Sequence, residues 1–200
     1  MTTFLNKAEQ AHPEKLASEN WGLYFHGTGQ TFEAFDEAKI GMGQDANCGL
    51  GVFTTDQPWN GARYAKMVAK MPGEGRVLLV LLNETSNYEF DNFESFYGAE
   101  WAGTGSPRHT RKHFERLRKK LSKEYTAAWF TLDDDGLIGI ALRLDNIAIV
   151  GSVSCEVANA LQDDELFNCP NHTAPTFKRK LLARVQELAD EADLAALVAA

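Results

Sequence analysis

Apolar positions in this 200-residue chain fall into short continuous runs and helical spacings, separated by glycine and Asx turns. Residues 21–25, Trp-Gly-Leu-Tyr-Phe, form a first run suited to a buried strand, and Val52-Phe53-Thr54-Thr55 a second, shorter one. Arg76-Val77-Leu78-Leu79-Val80-Leu81-Leu82, bounded by Gly75 and Asn83, reads as a central strand. Further strands are expected over 127–132, 136–144 and 147–153, with Asp133-Asp134-Asp135-Gly136 and Asp145-Asn146 as the turns between them. Trp59, Ala62, Tyr64, Ala65 and Val68 lie at helical spacing, with Thr55 or Asp56 as the expected cap, Pro58 in the first turn, and Gly73 and Gly75 closing the helix. Phe114, Leu117 and Leu121 mark a second helix over 107–124, and Leu181, Leu182, Val185, Leu188 and Ala189 a third over 176–200. Residues 1–20 are polar and rich in Ala, Glu and Lys, and read as a short helix or loose arm. Residues 83–105 read as an aromatic loop.

Strands and helices that mix without regular βαβ alternation favour an α+β fold. There is no internal repeat and no low-complexity linker, and the chain is long enough to bury one sizeable core. The formal charge of -8 and the pI of about 5.1 argue against broad, salt-driven adhesion to nucleic acid or to an anionic membrane. A local basic patch is compatible with that balance. Cys48, Cys155 and Cys169 are too far apart for a zinc site and odd in number for a disulfide framework, so a reducing compartment is expected. The first residues lack a signal-peptide pattern, and no stretch is long enough for a membrane span. The expectation is a cytoplasmic protein, or one delivered into a target cell without a cleavable signal.

The most informative stretch lies between Tyr24 and Tyr64. It opens on Tyr24-Phe25-His26-Gly27-Thr28 and closes on Gly51-Val52-Phe53-Thr54-Thr55 and Ala62-Arg63-Tyr64-Ala65. A histidine between an aromatic strand and a Gly-Thr turn, followed by a glycine-flanked strand, is more than a core requires. Each of these residues also has an ordinary use, His26 as a satisfied strand histidine, Tyr64 and Phe53 as core aromatics, and the glycines as turn formers.

The first segment resembles the opening signature of the ADP-ribosyltransferases of the diphtheria-toxin and poly(ADP-ribose) polymerase type. Gly51-Val52-Phe53-Thr54-Thr55 resembles their second, and Phe53 and Tyr64 are 11 positions apart, as the two nicotinamide-sandwiching aromatics are in the polymerase branch. The likeness covers roughly residues 21–152, leaving 1–20 as an N-terminal arm and 153–200 as a C-terminal helical extension packed on the same domain. It implies a split mixed or antiparallel sheet core with flanking helices, and NAD as substrate. His26, Gly27, Thr28, Gly51, Phe53, Thr54 and Tyr64 would bind it. His26 would hold the adenosine ribose, the Gly27 backbone would read the carboxamide, and Phe53 and Tyr64 would stack on the ring, worth about 1 kcal/mol. Catalytic roles are expected of His26, Tyr64 and Asp135, and no metal is expected.

The family's glutamate near the start of the last core strand has no counterpart, since Ile140 stands at or near its place and no Glu lies between Glu124 and Glu156. A mono-ADP-ribosylating branch of the polymerases also carries an apolar residue there. The resemblance therefore implies transfer of a single ADP-ribose to a macromolecular acceptor, protein more than nucleic acid, in a toxin/effector or phage–bacterium conflict role. The carboxylate would then come from the substrate, or from Asp133, Asp134, Asp135 or Glu124. Two alternatives stay open: a catalytically degenerate NAD- or partner-binding module of the same fold, and a transferase acting on a small molecule of antibiotic type. The helix over 107–124 carries Arg111, Lys112, Arg116, Arg118, Lys119, Lys120 and Lys123. It is either a solvated face or a surface for acidic protein, RNA or the cofactor pyrophosphate. His109 and His113 at i, i+4 lack a third metal ligand.

Overall fold

A computed structural model describes residues 3–30, 32–42, 46–71, 73–90, 107–132, 136–168 and 170–199. The fold is α+β, with seven strands in a mixed sheet and six α-helices among the described residues. Helices α1 (Phe4–Ala11) and α2 (Pro13–Ala17) precede strands β1 (Trp21–Thr28) and β2 (Val52–Thr55). Helix α3 (Pro58–Val68), strands β3 (Arg76–Asn83) and β4 (Asn87–Glu89), and helix α4 (Pro107–Leu121) follow. Strands β5 (Ala127–Leu132), β6 (Gly136–Ala141) and β7 (Ile147–Ser154) lead to helices α5 (Cys155–Ala160) and α6 (Pro175–Ala199). Along the sequence these elements belong to two interleaved compact units. The first comprises Met1–Thr31, Gln57–Leu81 and Ile149–Ala200, and the second Phe32–Asp56 and Leu82–Ala148.

In the first unit the strand order is β1-β3-β7. Val77 to Leu81 of β3 are all fully buried, the mark of a strand covered on both faces. Helix α3 packs on β1 and α5 packs on α3. A buried cation anchors the start of β1. Lys178 of α6 is 0% exposed, and its Nζ donates to the carbonyls of Lys15 (3.1 Å), Ser18 (2.6 Å) and Trp21 (2.7 Å). Three carbonyl dipoles replace the ammonium's hydration and tie the end of α2 and the first strand residue to α6. His172 stacks on Tyr24 with ring centroids 5.1 Å apart, and its Nδ1 lies 3.2 Å from the Leu23 carbonyl. Burial pushes its imidazole pKa down to about 4.

In the second unit the order is β4-β5-β6-β2, with β4 and β5 parallel and the other two pairings antiparallel. The register sets Phe53 opposite Ile140 and Ala128 opposite Ile140. Ile138, Ile140 and Leu142 join Ala128 and Phe130 in a core capped by Phe114 and Leu121 of α4 and by Leu50. Arg118 Nε donates to the Leu142 carbonyl at 2.9 Å, and its guanidinium also pairs with Glu37. Gly139 leaves room for the indole of Trp129, whose Cη2 would lie 2.7 Å from a Cβ at that position.

Element boundaries differ from the sequence reading in three informative places. Strand β1 runs through His26, Gly27 and Thr28, so the histidine sits within the strand and the turn begins after it. Neither Thr55 nor Asp56 caps α3. Gln57 occupies the N-cap with no capping bond from its side chain, whose Oε1 accepts from Asn60 Nδ2 at 2.7 Å, while Asp56 Oδ1 accepts from Leu137 N at 3.1 Å. Within the expected helical extension over 153–200, helix α5 is a separate short element that no apolar period marks.

Candidate functional site

The first unit brings two of the sequence segments into direct packing. A Cβ at Gly27 would run into the carbonyl oxygen of Gly61, and would lie 2.7 Å from Ala65 N and 3.0 Å from Tyr64 Cβ. At Gly29 the same construction lies 2.7 Å from the Val68 carbonyl. The strand end bearing His26 thus rests against the helix turn bearing Tyr64, and hydrogen in place of a side chain is what permits the approach. Gly27 is required here by packing, whatever its backbone also reads. His26 and Tyr64 are both half-buried, so each keeps part of its surface in water. The Arg63 guanidinium lies 5.4 Å from the Tyr64 ring centroid. A cation so placed is drawn to the π electrons of one ring face.

Thr28 is buried and builds a local turn. Its hydroxyl donates to the Gln30 carbonyl at 3.1 Å and accepts from Gln30 N at 3.2 Å. The donor is consumed by the chain itself, which leaves only an acceptor lone pair for any other contact.

In the second unit the glycine-flanked strand has its own structural reasons. Gly51 has φ +154°, and a Cβ there would collide with the Ala141 carbonyl and approach Ile140 Cγ2 to 3.1 Å. The Thr54 hydroxyl, 3% exposed, donates to the Gly139 carbonyl at 3.0 Å across the β2–β6 pair. Phe53 is half-buried and packs against the core beneath α4. Ile140, opposite it, is 0% exposed. Position 140 is therefore core, and a carboxylate in place of Ile140 would be desolvated in the cluster of Phe114, Ala128 and Phe130. Asp133, Asp134 and Asp135 lie outside the described residues.

One carboxylate in this unit is electrostatically displaced. Asp56 is pushed up to about 6, first by burial, against the opposing effect of the Leu137 and own-backbone hydrogen bonds. The sequence offers Asp56 as a helix cap, and only the pairing of β2 with β6 identifies its partner 81 residues away. Asp56 directly follows the last residue of β2, and Leu137 is the second residue of β6. Among the described residues no group of three or more His, Cys, Asp or Glu side chains could hold a metal ion, and no helix is long and apolar enough to cross a membrane.

Neither a protein-family model nor a curated protein matches the chain. Among solved structures, the chain is similar to a chain of the "M.tuberculosis MbcT-MbcA toxin-antitoxin complex". The identity is 11% and the TM-score 0.43, with 74% of this chain and 97% of that chain covered. At this identity and score the likeness does not bear on activity.

Proposed function

We propose that the chain binds NAD and transfers a single ADP-ribose unit to a macromolecular acceptor, most simply a protein. The observation that carries this reading is the packing of the His26-Gly27-Thr28 strand end directly on the Tyr64 turn of α3. Two segments that resemble parts of one NAD-binding signature, 36 to 38 positions apart in sequence, are neighbours in one unit. In the reaction, the bond between the nicotinamide nitrogen and ribose C1′ breaks and neutral nicotinamide leaves with the electron pair. A nucleophile of the acceptor then bonds to C1′ and gives up its proton. His26 would hold a ribose hydroxyl, Tyr64 would stack on the ring, and catalysis would rest on orientation and on stabilising the oxocarbenium-like state.

The test is calorimetric titration of NAD, followed by a nicotinamide-release assay in the presence of cell lysate. His26→Ala and Tyr64→Ala are each expected to weaken NAD binding about tenfold, the loss of one good contact. Absence of NAD binding by the wild-type chain overturns the proposal.

A second reading is favoured by the burial of Ile140: a module of the same kind that binds NAD or a partner without turnover. It predicts NAD binding with intact His26 and Tyr64 but no label transferred from NAD to any lysate component. Transfer of that label decides for the enzyme.

A further inference from the structure

The chain carries -8 overall, yet residues 107–124 hold eight of its twenty Lys and Arg and only two acids, Glu115 and Glu124. Helix α4 sorts these charges. Phe114 and Leu121 are buried, and Arg118 is tied to the Leu142 carbonyl and to Glu37. Lys112, Arg116, Lys119 and Lys120 are exposed, with Lys123 exposed in the turn that follows, and none forms an ion pair among the described residues. At 3.6 residues per turn the four cations on the helix fall within an arc of about 100° opposite the buried stripe. Glu115 lies beside the arc and does not interrupt it.

This arrangement repels itself. Lys112 and Arg116, Arg116 and Lys119, and Arg116 and Lys120 are like charges at i, i+3 or i, i+4 spacing, where a helix ordinarily gains from opposite ones. The row is displayed rigidly, because the opposite stripe is locked into the core and Gly49 lets the backbone approach α4, with a Cβ there 3.2 Å from the Arg111 carbonyl. A ligand that supplies a line of negative charge would relieve the repulsion.

We propose that this face of α4 holds the phosphate backbone of a single-stranded nucleic acid. From Lys112 to Lys120 the row spans about 12 Å at 1.5 Å per residue, longer than one pyrophosphate. Its steps of three or four residues rise about 5–6 Å, and a flexible strand can bring its successive phosphates into line with them. An acidic protein fits less well, because among the described side chains the exposed positions of α4 offer no Trp, Tyr, Phe, Met or aliphatic anchor of the kind that carries protein interfaces. A membrane surface fits less well again, because the apolar stripe that would enter it is already buried. With four cations on this face and His113 alone beside them as an exposed ring among the described side chains, binding is mainly to the backbone and is independent of sequence.

The proposal is independent of the NAD reading, and its test separates the two. Fluorescence anisotropy of the full chain with a labelled 15-nucleotide mixed-sequence RNA is expected to show binding at 50 mM salt. The slope of log affinity against log salt should be about −3, from roughly 0.7 per neutralised phosphate over four contacts. Replacing Lys112, Arg116, Lys119 and Lys120 together by Gln should weaken binding at least tenfold and leave circular dichroism and NAD affinity unchanged. A control that replaces the exposed Lys7, Lys39, Lys70 and Lys180 by Gln removes the same charge elsewhere and should bind like wild type. Lys119→Gln alone should reduce the slope by about 0.7. No binding at 50 mM salt, equal loss in the control, equal or tighter binding of a duplex, or equal competition by polyglutamate would each overturn the proposal.

Discussion

The first unit holds His26 and Tyr64 together by contact between backbones, and the second encloses Thr54 and Ile140 in its core. Gly27 meets the Gly61–Ala65 turn of α3 with no room for a side chain, so His26 and Tyr64 are carried on two elements that cannot separate without losing that packing. Across β2 and β6, by contrast, Thr54 spends its hydroxyl on the Gly139 carbonyl, and Ile140 is fully enclosed opposite Phe53. Residues that resemble a ligand site stay useful as one only where the surrounding packing leaves them in contact with water. His26, Tyr64 and Phe53 meet that condition as half-buried groups, and Ile140 does not.

The sharpest way to break this comparison is Ile140→Glu, which sets a carboxylate in the core of the second unit. The expected outcome is a loss of about 4 kcal/mol in urea unfolding, with no gain in nicotinamide release, because the charge would be buried beneath α4. A stable and more active variant would show that the position belongs to a site after all. In the first unit, Gly27→Ala tests whether strand and helix are truly in backbone contact. A loss of about 3 kcal/mol is expected from overpacking against the Gly61 carbonyl and Ala65 nitrogen, measured by the same unfolding experiment. NAD affinity should fall with it if the two segments form one site.

The smallest effects are in pH dependence, and there the units oppose each other. His172 titrates near 4 in the fold and near 6.5 in the unfolded chain, so between those values the unfolded chain holds the extra proton and stability falls as pH falls. Asp56 titrates at about 6 in the fold against 3.8 when unfolded, so its contribution is present at low pH and is lost as pH rises through about 6. The two slopes partly cancel in the wild type. Asp56→Asn should expose a stability that rises by about 2 kcal/mol from pH 4 to 6.5, owed to His172. His172→Gln should expose a fall of about 1 kcal/mol over pH 4 to 6, smaller because the Asp56 carboxylate still touches water. Thermal melts across this range on both variants check the signs.

Much of the secondary structure is legible from local pattern. The unbroken apolar run of β3, the Pro58 start of α3 and the stripe of Phe114, Leu117 and Leu121 on α4 each follow from periodicity and backbone chemistry within a dozen residues. Asp56 marks where that legibility stops, since a carboxylate before a helix has the same local signature whether it caps the helix or receives Leu137 N from a distant strand. Lys178 is similar, an ordinary helix lysine by sequence and a buried three-carbonyl anchor in the fold.

By itself, then, the sequence determined where most of the strands and helices lie, that the fold is α+β, and that His26, Phe53 and Tyr64 belong to a pattern worth testing for NAD. Tertiary structure alone decided that Gly27 is fixed by helix packing, that Ile140 is core and that residues from three separate stretches make one unit. The physical reason is range. Periodicity and turn preference act between near neighbours, whereas burial and hydrogen-bond partnership depend on which distant segments fill the remaining space and satisfy the remaining polar groups.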